Sequence, residues 1–296
     1  MSAALRSRKR SLKRRPPSAL LRAVDACRNE MMLPRWIQEA IASDTSGETP
    51  LHHLARLTHG GGPLAARLLA WSNSPLFNLS RRFTRLEQVR AVLGDSQTMR
   101  LAILASIRGL FQPDRQIRTY QRQQLWRHSM AVGAVAALVA RVSGRVDPAG
   151  AWLAGAVHDI GLLAGEIADP AGFADLLDQL DAVTDTASAQ RHRTGYDHQQ
   201  LGAEVLCRWG FERRICDVAR LHHHPHLAGE AADAALTDCV ILADYLCSRC
   251  GWTELGLHNV AQPPDSVFQR LRIDQAALAI IWQQLYATLE HTRVLI

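Results

Sequence analysis

The chain carries 13 histidines, and the most informative of them is followed at once by an aspartate. His158-Asp159-Ile160-Gly161 lies inside the apolar run AWLAGAVHDIGLLAG. An ionised carboxylate in such surroundings must be paired or must hold a metal, because an isolated buried charge is costly. Asp244, inside the apolar stretch VILADYL, poses the same problem. His128 falls one helix earlier, His198 stands at the start of a further helix, and His222 and His223 close another.

These residues come from five separate helices, an arrangement that suits a bundle in which inward-facing side chains meet at one point. Imidazole plus carboxylate is a borderline-to-hard ligand set. It suits Fe, Mn, Zn or Mg with retained waters, not a thiolate-type zinc knot. A metal held there would acidify a bound water and orient a phosphate. Spacing alone leaves two readings open for His128, His158, Asp159, His198, His222, His223 and Asp244: a metal site, or polar core groups that satisfy one another by hydrogen bonds.

The elements that must position them read as helical throughout. Pro63 starts a helix carrying Leu64, Leu68 and Trp71 on one face, and Asn73-Ser74-Pro75 ends it. Capping and turn chemistry account for that Asn-Ser pair, with a partner contact as the alternative. Thr49-Pro50 starts an earlier segment with Leu51, Leu54 and Leu57, broken by His59-Gly60-Gly61-Gly62, and Gly94-Asp95 separates two later stretches. Pro113 and the polar run to Gln124 form a junction, after which Val132, Val135, Val139 and Val142 recur at helical intervals. Asp147-Pro148 and Asp169-Pro170 each place an acidic cap before a proline. Asp197 with Gln200 fits a capping box, Gly210 stops that helix, and Pro225 halts the next. Residues from Ala231 to Gly251 and from Ile273 to Leu289 supply two more helices. Trp71, Trp126, Trp152 and Trp209 have apolar neighbours and read as core. No strand alternation, repeat period or phosphate-binding glycine loop is evident. The fold class expected is all-α, a two-lobed helical bundle: a basic tail over 1–19, an N-terminal lobe over 20–112 and a second lobe over 113–296.

Composition limits the setting. With 47% hydrophobic and 21% charged residues the chain reads as an ordinary globular protein. No uninterrupted apolar stretch of about 18 residues exists, so no membrane span is expected. The basic N-terminus lacks a signal-peptide core, and the six cysteines show no disulfide-scaffold spacing. A cytoplasmic location with reduced thiols follows, and Cys247 and Cys250, a lone CxxC, read as inert. The net charge of +6 is a property of the tail: Arg6, Arg8, Lys9, Arg10, Lys13, Arg14 and Arg15 stand in the first fifteen residues without an acid. That segment reads as a solvated tail, or as one touching nucleic acid or an anionic surface.

The ordered series LWRHSMAVGAVAALVA, LAGAVHDIGLL, YDHQQLGAEVLCRWGF, LHHHPHLA and ILADYL resembles the HD superfamily. The earlier run PLAARLLAWSNSPLFNLSRRFTRLEQVRAVLG resembles the HDOD signature, with Asn73-Ser74 and Leu93-Gly94 in its marked places. The resemblance spans residues 30–290 and implies that the second lobe is HD-domain-like and that the two lobes form one HDOD unit. It further implies metal ligation by His128, His158, Asp159 and Asp244, with His198, His222 and His223 added as in bimetallic relatives that cleave cyclic dinucleotides. HDOD proteins are mostly regulatory or output modules of bacterial signalling.

Departures from the active pattern qualify that implication. Leu162 stands where the phosphodiesterases carry a Lys, and Gln124 replaces a Glu one turn before His128. No acid follows the paired histidines, Gly195-Tyr196 is misplaced for a GYP element, and Gly62-Pro63 stands where HDOD proteins often show Asp-Pro. The expected function is therefore a signal-transduction output protein acting through a signalling protein partner or a nucleotide ligand, and not an efficient enzyme. The alternative is a metal-dependent phosphohydrolase or phosphodiesterase acting on nucleotides or cyclic dinucleotides.

Overall fold

A computed structural model describes residues 18–42, 52–56, 62–75, 82–180, 185–255 and 261–295. The basic tail and the Thr49-Pro50 helix start lie outside the described residues. The fold is all-α. Helices α1 (Ser18–Cys27), α2 (Arg35–Ala42), α3 (Pro63–Ser72) and α4 (Leu86–Leu110) come first. They are followed by α5 (Arg122–Ser143), α6 (Pro148–Val157), α7 (Ile160–Ala168), α8 (Pro170–Gln179) and α9 (Thr186–Thr194). The chain then continues through α10 (His198–Arg208), α11 (Arg213–Leu221), α12 (Ala234–Arg249), α13 (Asp265–Leu271) and α14 (Gln275–His291). Among the described residues no helix is long and apolar enough to cross a membrane.

Helix α5 is the axis. Its run from Leu125 to Ala140 is buried almost without interruption, and α6, α12 and α14 pack around it. Its sequence explains why: AVGAVAALVA offers small and β-branched side chains on every face, the pattern of a helix surrounded by others. Gly133 and Gly155 set the closest approach, between α5 and α6. A Cβ on Gly155 would sit 2.8 Å from the Gly133 Cα, and one on Gly133 would sit 2.7 Å from the Trp152 carbonyl oxygen.

The expected caps take shape as hydrogen bonds. Asp147 accepts from the Ala149 and Gly150 amides, Asp169 from that of Gly172, and Asp197 from that of Gln200 in a reciprocal capping box. Gly94 breaks helical geometry inside α4 at φ 78°.

Three features differ from the sequence expectation. The polar junction holds a two-residue antiparallel ladder, Gln116–Ile117 against Tyr120–Gln121, too short to show alternation, and α5 already begins at Arg122. Helix α9 was not expected, because TASAQRHRT buries only Ala187 and Gln190 and so has no apolar face. Helix α11 ends at Leu221, so His222 is its cap and not its last turn.

The first helices are tied to the rest at named points. Helix α1 packs on α7 and α10, and Trp209 Nε1 donates to the Met31 carbonyl at 3.2 Å. Trp126 stacks on Trp71 at 6.0 Å and donates to the Leu295 carbonyl at 2.9 Å. Asn73 fulfils the capping reading and goes further. Its amide donates to the Leu69 and Phe83 carbonyls at 2.9 Å each, and its oxygen accepts from the Phe83 amide at 2.7 Å. Ser74 Oγ donates to the His291 carbonyl at 3.0 Å, joining the α3 end to α14. Asn73→Ala removes all three Asn73 bonds, and a loss of about 2 kcal/mol is expected in urea unfolding. A variant within about 0.5 kcal/mol of the parent would contradict this account of Asn73.

Candidate metal centre

The seven histidines and aspartates singled out in the sequence come together at one point. His128 projects from α5, His158 caps the end of α6, and Asp159 is the residue before α7. His198 opens α10, His222 and His223 follow α11, and Asp244 lies in α12. A second pair of glycines makes this convergence possible. A Cβ on Gly161 would fall 1.9 Å from the His198 carbonyl oxygen and 2.7 Å from the Gly202 amide nitrogen. Backbone therefore meets backbone where α7 crosses α10, and Asp159 is delivered beside His198.

Asp159 occupies the centre. Its Oδ1 is 3.2 Å from His222 Nε2 and 3.6 Å from His198 Nε2. Its Oδ2 is 3.3 Å from His158 Nε2 and 3.6 Å from His128 Nε2. One carboxylate thus faces two pairs of imidazoles, one pair on each oxygen. Asp244 Oδ1 lies 3.4 Å from His128 Nε2, and Asp244 Oδ2 lies 3.9 Å from His223 Nδ1. Candidate ligand atoms fall into three overlapping sets: Asp159 with His198, His222 and His223; His128 with His158 and Asp159; and His128 with Asp244 and Glu254.

The imidazole tautomers follow from the surroundings. His128 Nδ1 lies 2.8 Å from the Trp252 carbonyl, His158 Nδ1 2.7 Å from that of Gly155, and His222 Nδ1 2.9 Å from that of Ala219. A carbonyl only accepts, so each Nδ1 carries the proton and each Nε2 presents a lone pair when the ring is neutral. His198 obeys the same rule through a side chain. Gln190 Oε1 accepts from its backbone amide at 2.8 Å and from its Nδ1 at 2.7 Å.

The two readings left open by the sequence make different demands here. A self-satisfying polar core needs hydrogen bonds at every buried polar atom. The Nε2 atoms of His128 and His198 and Asp244 Oδ1 are buried without one, and those of His158 and His222 have only the one Asp159 carboxylate, at 3.3 and 3.2 Å. These residues belong to three overlapping groups, and inside each group the ligand atoms lie within 4.8 Å of one another. Imidazoles held by second-sphere carbonyls, with free Nε2 atoms facing carboxylates, are the arrangement in which a divalent cation is bound. The residues present fit such a metal.

Electrostatics agree with that fit. Burial disfavours the charged form of His158, but Asp159 and Asp244 outweigh it and raise its pKa to about 9. Burial would raise Asp159, yet His158 and His222 hold it well below the usual carboxylate range. Burial pushes His198 down to about 4, and His128 and His223 down as well. A cation bound among these groups would take over the compensation that the His158 proton otherwise gives.

The sequence reading missed two contributors. Glu254 reaches the cluster from the loop after α12, its Oε2 3.8 Å from His128 Nε2. Burial, with Asp159 and Asp244 nearby, raises its carboxyl to about 8. Gln190 comes from the unexpected helix α9. Neither belongs to a periodic pattern, and the only sequence signal for Glu254 is an acid a few residues after an apolar helix that carries Asp244. Leu162 is fully packed in the core, as its apolar character requires.

Comparison with known proteins now adds the lineage. A profile of the HDOD domain matches residues 31–225, more than half of the chain. The chain belongs to the HDOD family. Solved structures share its fold across nearly the whole length. An HDOD domain protein of unknown function from Geobacter sulfurreducens is 24% identical, with a TM-score of 0.65 over 94% of this chain and 95% of its own. A protein of Shewanella amazonensis SB2B, provisionally described as a phosphohydrolase, is 20% identical, with a TM-score of 0.67 over the same shares. A second Shewanella amazonensis SB2B protein, provisionally described as a metal-dependent phosphohydrolase, is 15% identical, with a TM-score of 0.60 over 92% and 97%. Among curated proteins no sequence match was found.

Proposed function

We propose that this HDOD protein is a cytoplasmic bacterial signal-relay component whose HD cluster holds a divalent cation, Fe, Mn, Zn or Mg, within a closed core. It acts through contacts with a signalling protein or through a nucleotide ligand, not through rapid turnover. The observation that carries this reading is burial. His128, His158, Asp159, His198, His222 and Asp244 are each at most 4% exposed, which leaves a bulky phosphodiester little access to them. Leu162 supports it, since an apolar side chain offers a phosphate no countercharge. The ligands in this reading are drawn from those six residues and His223, and the cation when bound would supply Lewis acidity and local positive charge. A cation bound only by the folded state also stabilises it by mass action.

The second reading, a metal-dependent phosphohydrolase, is favoured by one specific feature. His223 and Glu254 stand at the rim of the cluster, with side chains 28% and 15% exposed, so one edge is nearer to solvent. The test is to saturate the protein with Mn²⁺ and measure both melting temperature and hydrolysis of a cyclic dinucleotide. The proposed relay function expects a higher melting temperature and no enzyme-like turnover. Turnover at enzyme-like rates that His158→Ala abolishes would establish the second reading instead. The tail of residues 1–15 remains a candidate for salt-dependent contact with nucleic acid or an anionic surface, which its deletion would remove.

A further inference from the structure

We propose that Glu254 is itself a metal ligand and completes, with His128 and Asp244, a second cation position beside the one formed by Asp159, His198 and His222. This rests on the metal-holding reading above and assigns a residue to it from outside the helical cluster. The argument begins with the loop that carries Glu254. Two residues one turn apart on α5 grip the backbone of that loop. His128 Nδ1 donates to the Trp252 carbonyl at 2.8 Å, and Gln124 Nε2 donates to the Thr253 carbonyl at 3.3 Å. The Trp252 amide donates back to the Cys247 carbonyl at 3.0 Å, and the Arg127 guanidinium lies over the Trp252 ring at 5.0 Å. Thr253 and Leu255, on either side of Glu254, are buried. The loop is therefore held on three sides, and the next carboxylate after the two gripped carbonyls is turned toward His128.

Three carboxylates crowd a single imidazole nitrogen at that point. Glu254 Oε2, Asp244 Oδ1 and Asp159 Oδ2 lie 3.8, 3.4 and 3.6 Å from the same atom, His128 Nε2. Among the described residues no Arg or Lys forms an ion pair with any of these carboxylates. His128 Nε2 and Asp244 Oδ1 are buried without a hydrogen-bond partner, and both face the space that Glu254 borders. Each of His128, Asp244 and Glu254 can present one ligand atom, with all three atoms within 4.8 Å of one another. Two oxygens and one imidazole nitrogen form a harder donor set than the histidine-rich position around Asp159, so Mn²⁺ or Mg²⁺ suits it. Gln124 is a positioning residue in this scheme. It touches no ligand atom but fixes the height of the loop.

The test is calorimetric titration of the metal-free, full-length protein with MnCl₂, comparing the parent with Glu254→Gln and Gln124→Ala. The parent is expected to bind two equivalents of Mn²⁺. Glu254→Gln is expected to lose the second equivalent, or to bind it at least about tenfold more weakly, while keeping the first. Gln124→Ala is expected to weaken that same equivalent by a smaller factor. The melting temperature of metal-free Glu254→Gln should be no lower than the parent's, which separates a ligand from a merely structural residue. Two equivalents bound unchanged by Glu254→Gln would overturn the role of Glu254 and leave the first position intact. Lower melting of the metal-free variant together with unchanged affinity would also overturn it. Absence of any Mn²⁺ binding by the parent would remove the metal-holding reading itself.

Discussion

Gly161→Ala is expected to destabilise the protein by about 3 kcal/mol or more, at the upper end of what overpacking a core costs. The added methyl meets the His198 carbonyl oxygen at 1.9 Å and the Gly202 amide at 2.7 Å, and neither can rotate away. Relief requires α7 to move off α10, and that movement separates Asp159 from His198 and His222. The variant should therefore lose metal binding along with stability. Gly202→Ala provides the scale. Its Cβ would approach Gly161 backbone at 3.0–3.3 Å, so a smaller loss of about 1 kcal/mol is expected. Guanidinium unfolding and metal titration of both variants check this. Gly161→Ala within about 1 kcal/mol of the parent, with its metal intact, would show that the helix crossing does not set the site geometry.

The second large effect lies further along α7 from Asp159. Glu166 in α7 is fully buried and accepts from Arg122 at 2.6 and 3.2 Å and from Arg115 at 2.9 Å. Arg115 is half exposed and keeps its water, but the Arg122 side chain is 5% exposed and has no such recourse. Glu166→Ala leaves that guanidinium charged and unpaired at the first turn of α5, the helix that carries His128. A loss of about 3–5 kcal/mol is expected. The double variant Arg122→Met, Glu166→Leu should recover most of it, because a buried ion pair replaced by apolar groups is often close to neutral. Thermal and denaturant unfolding of the single and double variants measures both. If Glu166→Ala costs less than about 1 kcal/mol, the pair does not anchor α5 on α7.

The parts of this molecule that were legible in the sequence are those with local chemistry. Asp147, Asp169 and Asp197 announced helix starts because a cap and the residue it bonds lie within four positions. His158-Asp159 stood out because an ionisable pair inside AWLAGAVHDIGLLAG has no apolar explanation. The convergence of His128, His198, His222, His223 and Asp244 was suggested by helix placement and by the family resemblance. Its distances follow from long-range crossings such as Gly133 on Gly155 and Gly161 on His198, which no local pattern encodes.

What was not legible has physical reasons too. Helix α9 is stabilised by the Asp185 cap and by Gln190 gripping His198, not by an apolar stripe, so periodicity had nothing to detect. Gln124 reads as a lost carboxylate by resemblance alone, whereas in the structure it grips the Thr253 carbonyl beside Glu254, a further carboxylate 3.8 Å from His128 Nε2. The Glu254 loop is fixed by backbone carbonyls, which carry no residue-type signature. Leu162 reads the same in sequence and structure: an apolar residue in an apolar position.

The most direct test of the metal-holding core is elemental analysis of the protein purified without chelator, beside the double variant His158→Ala, Asp159→Ala. Near-stoichiometric or higher Fe, Mn or Zn in the parent, lost in the variant, is the expected result. A parent that is folded, holds no metal, gains no stability from added Mn²⁺ and melts together with the variant would contradict it, and the orphaned imidazoles would then be a polar core without a ligand.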